Sequence, residues 1–275
     1  MAVIINEKNH LENDYKKYKK KAIIWITATL AFFCGFGIYG YSQTTNFESP
    51  FPGILIFMLG FLITGLIAKT NVSRVNALKS GLTGENKAKS IFEKLSNDYY
   101  VLNDLSIEIE GKTSQIDNIV VGSNGVFVIE TKNINGHIVG DSNSNNITQH
   151  KVGRKGGEYS RTMYNPIKQV GTQVYRVSEL LKKSNINIWV QGVVFFTNYQ
   201  CEVELQSNKI PVFSIREDGE NEILKYISSY ENNNSTISIK TKEEIVSILS
   251  KYCIRENGVI NEAQNIDIFT TLGSN

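Results

Sequence analysis

Hydrophobic and polar positions divide the chain into three regimes. Residues 22–41 and 49–68 are uncharged and almost continuously apolar, each about 20 residues, the length that crosses a ~30 Å hydrocarbon layer. From residue 84 to 95 the period changes to that of an amphipathic helix, with Ala88, Ile91, Phe92 and Leu95 on one stripe and Glu85 on the same inward side. After it, β-branched alternation predicts strands at 99–109, 115–121 and 126–132, the last two flanking Gly122-Ser123-Asn124-Gly125 as a hairpin. Asn165-Pro166 reads as a helix start, with Ile167, Val170, Val174, Val177 and Leu181 as its buried stripe and Gln169, Gln173 and Arg176 beside it. The apolar run at 188–197 reads as a strand buried on both faces. A short strand at 210–215, a helix at 220–230 and a last helix opened by a Thr241/Glu244 capping box follow. The polar, Gly/Asn/Ser-rich stretch from 133 to 165 predicts a loop or loose hairpin, and residues beyond 256 a tail.

The four-residue turn fixes a register that pairs Val121 with Val126 and Ile119 with Val128, and so sets Asp117 opposite Glu130. Alternation places Lys132 on the same face, opposite Gln115. Two carboxylates opposed on a ladder repel unless something bridges them, and a hard divalent cation with oxygen ligands is the simplest bridge; the bland alternative is a polar strand end at the sheet rim.

Composition narrows the chemistry. A net charge of +2 over 275 residues confines any nucleic-acid surface to a local patch. Such a patch is available in Lys151, Arg154, Lys155, Arg161, Lys168 and Arg176, with Tyr159 and Tyr164 interleaved, although solvated charge explains most such runs. Cys34, Cys201 and Cys253 offer no disulfide framework, and His10, His137 and His150 no zinc spacing. Nor is a Ser/His or Cys/His nucleophile in view. Lys16, Lys17, Lys19, Lys20 and Lys21 precede the first apolar stretch and Lys69, Arg74 and Lys79 follow the second, with no Lys or Arg between 42 and 48. The positive-inside rule therefore predicts a transmembrane hairpin with both ends in the cytosol.

Helix, three strands, helix and strand, carrying Gly84-Glu85, Gln115-Ile116-Asp117, Glu130-Thr131-Lys132 and Asn165-Pro166-x-x-Gln169, resemble the nuclease-related domain (NERD), a branch of the PD-(D/E)xK nuclease superfamily. That resemblance covers roughly residues 80–200. It implies an α/β, restriction-endonuclease-like core (αβββαβ, mixed sheet) behind two transmembrane helices. It further implies Mg²⁺ or Mn²⁺ held by Asp117, Glu130 and the carbonyl of Thr131. Lys132 would assist the attacking water or stabilise phosphorane-like charge, with Glu85 and Gln169 at flanking motif positions. Ile116 stands where the superfamily has Pro, which is usual within this branch.

The expected organisation is a basic cytosolic segment 1–21, a transmembrane hairpin 22–68, a linker 69–80, the nuclease-like domain 81–200, a C-terminal strand and helices 201–255, and a tail 256–275. The function expected is a metal-dependent nuclease on the cytosolic face of the cell membrane, acting on nucleic acid, DNA rather than RNA, with the lipid bilayer as a second partner and room for a homo-oligomer. The rivals are a catalytically silent binding or signalling module of the same fold, and a scaffold in which the membrane hairpin is the working part.

Overall fold

A computed structural model of the chain describes residues 1–6, 9–46, 51–153, 155–216, 218–231 and 236–254. Arg154 and the expected tail from 256 lie outside these, as does most of the turn between the two apolar stretches. The chain forms two units, one of Leu11–Leu82 and the other of Met1–His10 together with the chain from Thr83 on.

The first unit is a helical hairpin. Helix α1 runs over His10–Asn46, and α2 over Phe51–Phe92, extending beyond the unit. Both are long and apolar enough to cross a membrane. Their apolar side chains are bare rather than packed, for example Ile24 at 62% and Ile56 at 66% exposure, which separates them from the core helices of a soluble domain. Where the helices meet, Gly35 and Gly60 leave no room for a Cβ against the rings of Phe57 and Phe32, so small residues admit the aromatic contacts of the hairpin. The sequence predicts a linker at 69–80 and a new helix near Gly84; instead α2 is helical throughout, because nothing between Lys69 and Gly84 breaks a helix.

The second unit is built on a six-stranded mixed sheet of order β1-β2-β3-β4-β8-β10. These strands are β1 (Val3–Ile4), β2 (Tyr100–Ile109), β3 (Lys112–Gly122), β4 (Gly125–Lys132), β8 (Val190–Phe196) and β10 (Val212–Ser214). Strands β2, β3 and β4 form an antiparallel meander, whereas β8 is parallel to β4 and β10 to β8. The parallel step requires a long crossover, which is supplied in part by α3 (Pro166–Lys183). Asn165 caps α3 as predicted, its side-chain oxygen accepting the Ile167 N–H at 3.0 Å, with Pro166 at the first turn.

Both sheet faces are covered. Ile119, Val121, Val126 and Val128 pack with Val170 and Val177 of α3, while Val120, Phe127 and Ile129 pack with Ala88, Ile91 and Phe92 of α2. Every residue of β8 is buried, which accounts for its nearly continuous apolar sequence, interrupted by Gln191. Helix α4 (Gly219–Ser228) lies where a helix is predicted, and α5 (Ile239–Ser250) begins slightly earlier than predicted. The cap of α5 is Ser238, whose hydroxyl accepts the Thr241 N–H, so Thr241 is inside the first turn rather than at its boundary.

The stretch 133–165 is more ordered than a loop. It folds as β5 (Gly136–Asp141), β6 (Asn146–Val152) and β7 (Glu158–Tyr164), and with β9 (Cys201–Gln206) makes a second sheet of order β7-β6-β5-β9. Its apolar content is low because few of its side chains are buried, chiefly Ile138, Ile147 and Cys201.

Candidate active site

The β3–β4 register is the one expected from the turn: Val121 pairs with Val126 and Ile119 with Val128. The paired ladder ends at Asn118↔Ile129, one step short of Asp117 and Glu130, so these two stand opposite each other where the strands part. There the Asp117 carboxylate accepts the Thr131 N–H at 2.8 Å, replacing the ladder bond with a side-chain one.

Glu130 is 1% exposed, a cost that must be met by partners. Lys132 Nζ bonds one of its oxygens, and Gln173 Nε2 donates to the other at 2.7 Å. Gln173 also donates to the Gln115 carbonyl at 2.9 Å, tying α3 to β3. Gln169, one turn earlier, accepts from Lys132 Nζ at 3.1 Å. The polar stripe of α3 therefore overhangs the carboxylates as its spacing predicts. Arg176, the third member of that stripe, bonds the Ser114 hydroxyl instead.

Glu85 approaches from α2. A Cβ at Gly84 would fall 2.5 Å from Asn133 Cβ and 3.0 Å from Thr197 Oγ1, so the glycine is what lets the helix come this close to the end of β4. Burial raises the Glu85 carboxyl to about 7, with the nearby Asp104 adding to the rise and the Asn9 amide opposing it. Asp117 retains a little solvent contact at its own surface but is enclosed by protein, and burial, then Glu130, then Glu85 raise its carboxyl well above the usual carboxylate range. Burial alone would lower the Lys132 ammonium; the Glu130 carboxylate bonded to it, with Asp117 and Glu85 beyond, holds it above the ordinary lysine value.

Three carboxylates thus share one site with one lysine. Among the described residues no three His, Cys, Asp or Glu side chains converge as a closed metal cage. The donor set is instead that of an open, oxygen-only site, with Asp117, Glu130 and the Thr131 carbonyl as the groups available to a hard cation that keeps much of its water. Such a cation would relieve the repulsion that lifts Asp117, so the residues fit Mg²⁺ or Mn²⁺ as that kind of site.

Of the predicted basic residues within the described structure, Lys151, Lys155 and Arg161 share the β6–β7 hairpin, whereas Lys168 and Arg176 lie on α3. Lys151 lines an open cavity of about 760 Å³ on the second sheet, with His137, His150, Tyr159, Tyr199 and Arg216. Arg161 stacks on Tyr159, Lys155 is exposed in the turn before β7, and Lys168 lines a separate cavity beside α3. Sequence reasoning missed Asn9, His10 and Asp104, all of which reach this region. The available signal was Asp104 itself, a carboxylate in the middle of an apolar strand, which demands a partner.

Comparison with known proteins agrees with the geometry. Residues 80–197 match the nuclease-related domain. An uncharacterized protein of Bacillus anthracis is 37% identical over 168 residues, an alignment covering 55% of this chain and 78% of that protein. No solved structure matches the chain.

Proposed function

The chain belongs to the nuclease-related domain family, and from that membership we propose that it is a Mg²⁺- or Mn²⁺-dependent nuclease, held at a membrane by α1 and α2, that hydrolyses phosphodiester bonds of nucleic acid, DNA in preference to RNA. The observation that carries this reading is the convergence of Asp117, Glu130, Lys132 and Gln169 at the point where β3 and β4 separate.

Asp117, Glu130 and the Thr131 carbonyl would hold the divalent cation, which would supply Lewis acidity toward a phosphate oxygen and activate water. The side chains do the rest. Gln173 fixes one oxygen of Glu130, and Lys132 spans from the other to Gln169, so the carboxylate and the ammonium are oriented before substrate arrives. Because its neighbours hold Lys132 protonated, its role in the reaction is to stabilise the negative charge that grows on the phosphorane rather than to take a proton from water.

Calorimetric titration of the full chain in detergent with Mn²⁺ tests the assignment. The wild type is expected to bind, and Asp117→Asn and Glu130→Gln are expected not to. Equal affinity in all three proteins would overturn it.

A further inference from the structure

The first ten residues belong to the nuclease-like unit although a helical hairpin separates them from it in sequence. They run along β2. Ala2 donates to the Glu93 carbonyl at 3.0 Å, Val3 to Tyr99 at 2.8 Å and Ile5 to Val101 at 3.0 Å. Asn6 then continues the pairing with its side chain, accepting the Asn103 N–H at 2.7 Å and donating to the Asn103 carbonyl. At the next position of β2, Asp104 meets His10.

Asp104 is fully buried and has a left-handed backbone, φ 55°. The β2–β3 ladder pairs Asn103 with Asn118 and Leu105 with Ile116 but skips the step between them, which is the step where Asp104 faces Asp117. A left-handed backbone is strained for a residue with a side chain and persists only if its surroundings fix it. His10 does so twice: its backbone N–H donates to Asp104 Oδ2 at 2.6 Å and its Nδ1 lies 2.7 Å from Oδ1. Gln115 Nε2 lies against the same ring, 3.2 Å from Nδ1 and 3.1 Å from Nε2. The residue before His10 reaches the other carboxylate of the site, Asn9 Nδ2 donating to Glu85 Oε2.

We propose that Asn9 and His10 are positioning residues of the candidate active site, His10 acting through Asp104 and Gln115 on β3 at Asp117, and Asn9 acting directly on Glu85. The site is then assembled from both sequence flanks of the helical hairpin. This inference rests on the nuclease reading above. Its physical content is that the break in the β2–β3 ladder frees Asp117 to turn toward Glu130, and that these N-terminal residues hold the break open.

The test uses the full chain in detergent, comparing wild type with Asn9→Ala, His10→Ala and the conservative His10→Gln, each first shown by thermal melting to be folded. Mn²⁺ alone is titrated calorimetrically, and cleavage of linear duplex DNA is measured at saturating substrate and cation. Residues that orient metal ligands are expected to matter by about 10-fold or more. His10→Ala should therefore weaken Mn²⁺ binding by that factor, Asn9→Ala should lower kcat with KM little changed, and His10→Gln should recover part of the loss. Folded variants with wild-type Mn²⁺ affinity and kcat would overturn the inference while leaving the nuclease reading intact. A wild type that neither binds Mn²⁺ nor cuts would overturn the nuclease reading and this inference with it. If His10→Ala does not fold, Asp104→Asn, which keeps one acceptor oxygen for the His10 backbone, replaces it and must show the same loss of affinity.

Discussion

Glu130 has both oxygens committed, one to Lys132 and one to Gln173, and it is nearly sealed from water. Residues of this kind read poorly from sequence, because Glu-x-Lys is common and only the opposing Asp117 marks it. What made it legible was arithmetic: a four-residue turn fixes the pairing, and the pairing sets two carboxylates face to face. Glu85 gives a second consequence at this scale. Its carboxyl is lifted from 4.5 to about 7, chiefly by burial. Between those values the folded chain keeps a proton that the unfolded chain has lost, so the contribution to stability is full below about pH 4.5 and is lost as pH rises through 7. Asp117, also raised, acts in the same direction. The cation-free protein should therefore melt at lower temperature at pH 7.5 than at pH 5, and Glu85→Gln should flatten that dependence. An unchanged slope in Glu85→Gln would show that the carboxyl titrates normally.

Among the elements, α3 carries the most function for its length, since Gln169 and Gln173 both reach the site from it. Its start is fixed by Asn165, which is fully buried, caps Ile167, and donates to the carbonyls of Asp141 and Ser144 at 2.8 Å each. Asn165→Ala should cost about 2–3 kcal/mol, a lost cap plus two carbonyls left short of a donor, measurable as a lower urea midpoint by Trp189 fluorescence. A loss under about 0.5 kcal/mol, the size of an ordinary surface change, would contradict that account. The elements that sequence made visible are those with a strong period or a sharp boundary: the β3–β4 hairpin, α3 with its Asn-Pro start, and β8 with its nearly continuous apolar run. Those it concealed lack such signals. Strand β1 is two residues long, too short to show alternation, and is held by backbone pairing with β2. Strands β5 to β7 bury only a thin row of side chains, so their composition is that of a loop. The contacts of Asn9 and His10 with Glu85 and Asp104 span 76 and 94 residues, a distance over which no local pattern carries information.

For the whole molecule, the pairing of β1 with β2 constrains any membrane arrangement. Both flanks of the helical hairpin fold into one unit, so if α1 and α2 cross a bilayer both flanks lie on the same side of it. By the positive-inside rule the basic residues on those flanks predict that this side is the cytosol. With Cys34, Cys201 and Cys253 replaced, a cysteine at Ser42 should be labelled by an impermeant thiol reagent on intact cells and one at Ser142 should not; the reverse pattern would invert the topology. The same pairing means that an isolated domain beginning near Lys79 would lack β1 and the Asn9–His10 contacts, so the proposed activity is to be tested on the full chain. The most direct measurement is cleavage of single- and double-stranded DNA by the full chain with Mg²⁺ or Mn²⁺, comparing wild type with Lys132→Met and with Lys132→Gln, which keeps a donor for the buried Glu130 but carries no charge. Wild type should cut, and both variants, folded and still binding DNA, should cut at least ~100-fold more slowly, the scale of losing one preorganised electrostatic group. A wild type that binds DNA but cuts no substrate, or a Lys132→Gln protein as fast as wild type, would contradict the nuclease assignment or the role given to this lysine, respectively.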